Sequence, residues 1–125
     1  MLVGGIAVGH YGYPRATGDI NLWVDNSPEN GIAMSNVFTE FGLNLPDNFP
    51  ETFCTHGKVF RVGHSPLRIE VLTGISGVRF NECYPRRGTV RFDGIDVDVI
   101  HIDDLKANKR ASGRTNDIDD LAHLP

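Results

Sequence analysis

Asp19 and Asn21 stand two residues apart in Asp19-Ile20-Asn21-Leu22-Trp23-Val24, where apolar and polar residues alternate as in a strand. Side chains at i and i+2 of a strand share a face, so two oxygen ligands would project together. Just after a glycine-containing loop, such a pair suits Mg²⁺ held jointly with substrate phosphates. Magnesium prefers hard oxygens and takes only one or two carboxylates from a protein. A third acid from a neighbouring strand would complete the site. Glu70, in Arg68-Ile69-Glu70-Val71-Leu72, is the best candidate, because Ile69 and Val71 would face the core. Arg68 could equally pair with Glu70 on an exposed strand face. Asp96-Val97-Asp98 is a rival Asp-x-Asp. With Ile95, Val97 and Val99 as the buried face, its acids read as a solvated surface. Trp23 reads as core or interface packing rather than a stacking platform.

These residues need elements to hold them. Leu2-Val3 predicts a short strand, Gly4-Gly5 a turn, and Ile6-Ala7-Val8 a short helix. Gly12, Pro14 and Gly18 punctuate the loop before the Asp19 strand. Ser27 caps a helix with Pro28 at its first position and Glu29 near its positive end. Ala33, Val37, Phe38 and Phe41 recur along it with helical spacing, and Gly42 ends it. Residues 43–57 read as an irregular connection. Val59 to Val62 and Leu67 to Leu72 predict strands joined by a Gly63/Pro66 turn. Thr89 to Phe92 and Ile95 to Ile100 flank Asp93-Gly94, a two-residue hairpin turn whose positions must tolerate positive φ. Asp103 caps a helix running to about Arg110, with cations near its end and Gly113 beyond. Asn116 to Leu124 predicts a last short helix. The order of elements implies an α/β or α+β fold, with a central mixed sheet flanked by helices.

The 125 residues fit one domain over 1–125. At 40% hydrophobic and 22% charged, the chain belongs with globular proteins rather than disordered ones. A net charge of −4 argues against nonspecific attraction to nucleic acid or an anionic membrane. Cys54 and Cys83 form no CxxC pattern, and the five histidines show no zinc spacing. No GxSxG or other nucleophile motif is present, which leaves a serine or cysteine hydrolase unsupported. There is no membrane-spanning run and no secretory signal, so the expected location is cytoplasmic. The apolar run Met1-Leu2-Val3 reads either as a terminal strand or as one from which a preceding helix is missing.

Three ordered blocks carry a resemblance. Gly4-Gly5-Ile6-Ala7-Val8 with Gly12 to Val24 is similar to the opening of the small bacterial nucleotidyltransferase-like proteins, the minimal and AbiEii-toxin-like kind. Those have a Gly-Gly or Gly-Ser turn followed by Asp-x-Asp on a strand. The likeness continues through Pro66 to Thr73 and Ile75 to Phe80. It ends in Asp104 to Arg114 followed by Asp117 and Asp120, and so covers nearly the whole chain.

This resemblance implies a nucleotidyltransferase fold and transfer of a nucleoside monophosphate from an NTP such as ATP to an acceptor hydroxyl, with Mg²⁺ or Mn²⁺. By position, Asp19 and Asn21 stand where two metal-binding carboxylates belong, and Glu70 where the acceptor-activating carboxylate belongs. Gly4 and Gly5 would let backbone approach the triphosphate. Lys109 and Lys106 could neutralise phosphate charge, and Arg15 and Thr17 could face phosphate from the entering loop. For Lys106, Lys109 and Arg110 a second reading is open, since cations near a helix C-terminus are favourable without a ligand. The acceptor is left open among small molecules, proteins and RNA ends. A partner protein or a homo-oligomer could supply its recognition, and some relatives act in toxin–antitoxin systems.

Asn21 departs from the pattern. A neutral amide oxygen binds a metal less strongly than a carboxylate, and paired ions about 3.5–4 Å apart need the missing charge. The protein is then degenerate, or works with a weaker or single metal, or carries an engineered change. The rival to an enzyme is a noncatalytic nucleotide- or protein-binding module on the same fold.

Overall fold

The structure, a computed structural model, describes residues 1–64 and 66–125. It is a mixed α/β arrangement with a six-stranded mixed sheet in the order β3-β4-β2-β1-β6-β5. The strands are β1 (Leu2–Val3), β2 (Asp19–Trp23), β3 (Val59–His64), β4 (Leu67–Leu72), β5 (Gly88–Phe92) and β6 (Ile95–Val99). The helices are α1 (Gly4–His10), α2 (Pro28–Glu40), α3 (Phe49–Phe53), α4 (Phe80–Cys83), α5 (Ile102–Ser112) and α6 (Thr115–His123). Short β1 lies at the centre, antiparallel to β2 and parallel to β6. β2 runs parallel to β4.

The two faces of β4 diverge, as period-two alternation requires. Val71 and Ile69 face a phenylalanine cluster of Phe38, Phe49, Phe53 and Phe60 beneath α2 and α3. A larger core joins Leu2, Val3, Ala7, Val8, Trp23, Val99, Ile100 and Leu105 around the central strands.

Several expectations hold. Ser27 accepts from the Asn30 N–H at the head of α2. Asp93 and Gly94 both take positive φ between β5 and β6. Gly113 ends α5 in the left-handed conformation.

Others are corrected. The connection over 43–57 contains α3, which closes the phenylalanine cluster. The inward stripe of α2 is Gly31, the half-buried Met34 and Phe38, while Ala33, Val37 and Phe41 are exposed. α2 rests closely on α3 along that stripe: a Cβ at Gly31 would lie 2.8 Å from the Pro50 carbonyl oxygen. His101, not Asp103, caps α5, its Nδ1 accepting from the Asp103 N–H at 3.1 Å. Ile95 is exposed beside the hairpin turn, where no element covers it, although Val99 on the same face is buried. Phe80 to Arg86 forms α4 and a 3₁₀ turn, a stretch for which the sequence pattern predicts no element. The turn expected at Gly63/Pro66 passes through Ser65, which lies outside the described residues. No helix among the described residues is long and apolar enough to cross a membrane.

Candidate functional site

The β1–α1 junction is built around Asn21. Val3 pairs with Asn21 in the sheet, so Gly4 lies against the Asn21 side chain. Gly4 has φ +67°, and a Cβ there would come within 2.3 Å of Asn21 Nδ2. Only glycine meets both demands. A Cβ on Gly5 would meet Thr17 at 3.2 Å and Arg15 Nη1 at 3.4 Å, which brings the glycine pair against the loop that enters β2.

That loop is tied down on alternate residues. The Tyr11 hydroxyl donates to the Ile100 carbonyl, and the Tyr13 hydroxyl to Asp119. Arg15 makes two hydrogen bonds to Asp120, at 2.8 and 2.9 Å. Tyr11 ends α1 and Gly12 turns the chain at φ +112°, so the three anchors hold the loop on both sides of a bend.

A cleft of about 590 Å³ opens here, in the size range of sites that enclose a small ligand. One wall is β2, with Asp19 and Asn21; the floor is Gly4 and Gly5; Arg15 and Thr17 line it from the loop. The opposite wall is Lys109 and Arg114 with Asp117. The Gly74–Ser76 segment closes one side, held to α5 by Asn108 Nδ2 donating to the Ser76 carbonyl.

The β2 wall carries an ion network. Arg68 donates to both Asp19 oxygens at 3.1 Å and reaches Glu70 at 3.4 Å. Arg61 also reaches Glu70 at 3.4 Å. The parallel register explains this, since Asp19 pairs with Arg68 and Asn21 with Glu70. The hydrogen bonds from Arg68 hold the Asp19 carboxyl below its ordinary value. Asn21 Oδ1 is buried without a hydrogen-bond partner among the described residues.

The opposite wall is a buried network. Lys109 Nζ lies 3.0 Å from both Asp117 and Asp120. Arg114 holds Asp117 at 3.0 Å, and Arg15 holds Asp120. Three cations thus meet two carboxylates, leaving one positive charge over. Burial pushes Asp117 up, but hydrogen bonds from Lys109, Ser112 and Arg114 outweigh it and bring the carboxyl down to about 2. Burial likewise opposes Asp120, and Arg15 and Lys109 lower it.

Of the residues singled out from sequence, the fold brings together Gly4, Gly5, Arg15, Thr17, Asp19, Asn21 and Lys109 in this cleft. Glu70 shares the Asn21 face but is taken up by Arg61 and Arg68, and does not line the cleft. Lys106 is turned to the chain's end, where its ammonium meets the Pro125 carbonyl, and takes no part. Lys109 is buried between two acids rather than sitting on a solvated helix end. The rival acids Asp96 and Asp98 pair with Arg91 and Arg87. Sequence reasoning gave no role to Arg114, Asp117 or Asp120. The available signal was two acids three apart on a short helix, one turn from a lysine-bearing helix.

No protein-family model matches the chain, and no curated protein is significantly similar to it in sequence.

Proposed function

We propose that the cleft binds a nucleoside triphosphate and that the chain is a nucleotidyltransferase-like protein, with the fold of that group. The observation that carries this reading is one cavity with opposed chemistry: a strand face with Asp19 and the unpartnered Asn21 oxygen on one side, and a wall with surplus positive charge on the other. A polyphosphate is long enough to touch both, and glycine backbone at the floor permits close approach.

The implied metal needs hard oxygen donors. Asp19 and the Asn21 oxygen, which has no partner among the described residues, fit one hard cation, with phosphate oxygens completing its shell. A second ion is not supported, because Glu70 stands outside the cleft and no group of three His, Cys, Asp or Glu side chains converges among the described residues. When bound, Mg²⁺ or Mn²⁺ would offset phosphate charge. The chain's own groups do the rest. Arg15 and Arg114 hold phosphate oxygens, Lys109 keeps the two buried acids neutralised behind them, and Arg68 competes for Asp19.

That competition favours a second reading. Asp19 is already ion-paired and Asn21 is neutral, which suits a binding module that has lost most of its catalysis. Calorimetric titration with ATP, with and without Mg²⁺, followed by transfer of label from α-³²P-ATP, separates the two. Binding with transfer supports the enzyme. Binding without transfer supports the module. No ATP binding by the intact chain overturns both.

A further inference from the structure

Trp23 continues the strand face of Asp19 and Asn21, but it lines a different cavity. This second cavity has a volume of about 400 Å³ and is bounded by Trp23, Asp25, Asn26, Arg79 and Phe80 among others. Trp23 is 1% exposed, packs edge-to-face on Phe80 at 5.3 Å, and its indole Nε1–H has no hydrogen-bond partner among the described residues. An indole nitrogen only donates, so whatever satisfies it must present an acceptor. Buried polar groups are nearly always paired, and an orphan points to something the protein itself does not supply.

Arg79 adds the sign of that acceptor. Most arginines of this chain hold a carboxylate within 4.0 Å: Arg15 holds Asp120, Arg68 holds Asp19, Arg86 holds Asp104 and Arg91 holds Asp96. Arg79 makes no ion pair among the described residues, and Asp25, across the same cavity, makes none either. Asn26 is spent, its Nδ2 donating to the Cys54 carbonyl at 2.8 Å, and Thr73 is spent on Thr55 and Lys58. The polar side chains left over are the Arg79 guanidinium, the Trp23 indole N–H and the Asp25 carboxylate, with the His56 imidazole and the Asn81 amide beside them, set against the Phe80 ring. At about 400 Å³ the cavity has room for a small molecule as well as for the single water, roughly 30 Å³, that would satisfy the indole.

We propose that this second cavity is a binding subsite for a small molecule bearing an oxyanion, carboxylate or phosphate, together with a hydroxyl or amine. Arg79 and Trp23 take the oxyanion, and Asp25 takes the hydroxyl or amine. Trp23 is one two-residue strand step, about 6.6 Å, from Asn21. If the first cleft holds the nucleotide, the second is where an acceptor would sit; that identity rests on the nucleotidyl-transfer reading, whereas occupancy by an oxyanion does not.

Trp23 is the chain's single tryptophan, so its emission reports on this cavity alone. The intact chain is titrated with sodium acetate and, separately, with inorganic phosphate. A saturable change in emission is expected with one of them, and the anion that saturates at lower concentration names the source. Arg79→Met should weaken it at least tenfold, roughly the worth of a charge-assisted pair. Arg79→Lys should recover part of the loss, and thermal melts of both variants check that they fold. Arg114→Ala, in the first cleft, should leave the response within about twofold. No saturable change with either anion overturns the proposal, as does a response lost in Arg114→Ala but kept in Arg79→Met. ATP binding is measured in parallel: its absence with the anion response intact overturns the nucleotide reading and not this one.

Discussion

On the β2 side of the cleft, Arg68 and Asp19 share an ion pair whose members are 34% and 30% exposed. On the other side, Lys109 is 5% exposed between Asp117 at 2% and Asp120 at 0%. The same chemistry does different work at the two depths. Exposed pairs are screened by water and salt and contribute little to stability, so Asp19 is free to exchange Arg68 for another cation. A buried pair that loses one member leaves a charge where it cannot be solvated, so Lys109 is bound to its acids as part of the fold. One network is built to be opened and the other to stay shut.

The largest effect should come from the buried side. Lys109→Met leaves Asp117 and Asp120 without their shared cation and should cost about 3–5 kcal/mol in urea unfolding. A loss under about 1 kcal/mol would erase the distinction between the walls. Acid tests the same network without a substitution. Asp117 is depressed from 3.8 to about 2, so its contribution is fully present above its unfolded value. That contribution, on the order of 2 kcal/mol, is lost as pH falls toward about 2. Unfolding midpoints measured from pH 6 to pH 2 should fall in that window, and Asp117→Asn should flatten the fall. A flat profile in the unaltered chain breaks the assignment.

The exposed wall should respond in function instead. Asn21→Asp adds a charge beside Asp19 and should raise Mn²⁺ affinity, read by electron paramagnetic resonance, on the order of tenfold. Nucleotide transfer should rise with it; equal turnover by both forms would show that the missing charge does not matter. The smallest effect is reserved for Arg68→Ala. It should change stability by less than about 1 kcal/mol while raising Mn²⁺ affinity several-fold, because Asp19 loses its competitor. A large stability loss there would make Arg68 a structural residue and end the contrast.

The β2 wall was legible in sequence because period two is a local rule. Asp19 and Asn21 had to share a face, and Ile69 and Val71 had to turn away from Glu70. What alternation could not show was the register of β2 on β4, which sets Arg68 rather than Glu70 on Asp19. α6 was legible as a helix but not in which face it buries. Its acids Asp117 and Asp120 are buried while Ile118 is 60% exposed, the reverse of what hydropathy predicts. Burial there is decided by cations from α5 and from the loop before β2, which are remote in sequence. α2 shows a milder case, since its apolar residues exceed the area that α3 and the sheet can cover.

By itself, the sequence determined the order of the six strands and the longer helices, the positive-φ turn at Asp93-Gly94, and the shared face of Asp19 and Asn21. Each follows from backbone sterics or a fixed periodicity within a few residues. The tertiary structure alone decided which charges meet. Ion pairing depends on distances between segments far apart in the chain, and it left Asp19 occupied, Lys109 enclosed, and Asn21 and Trp23 each with a buried polar atom unpaired among the described residues.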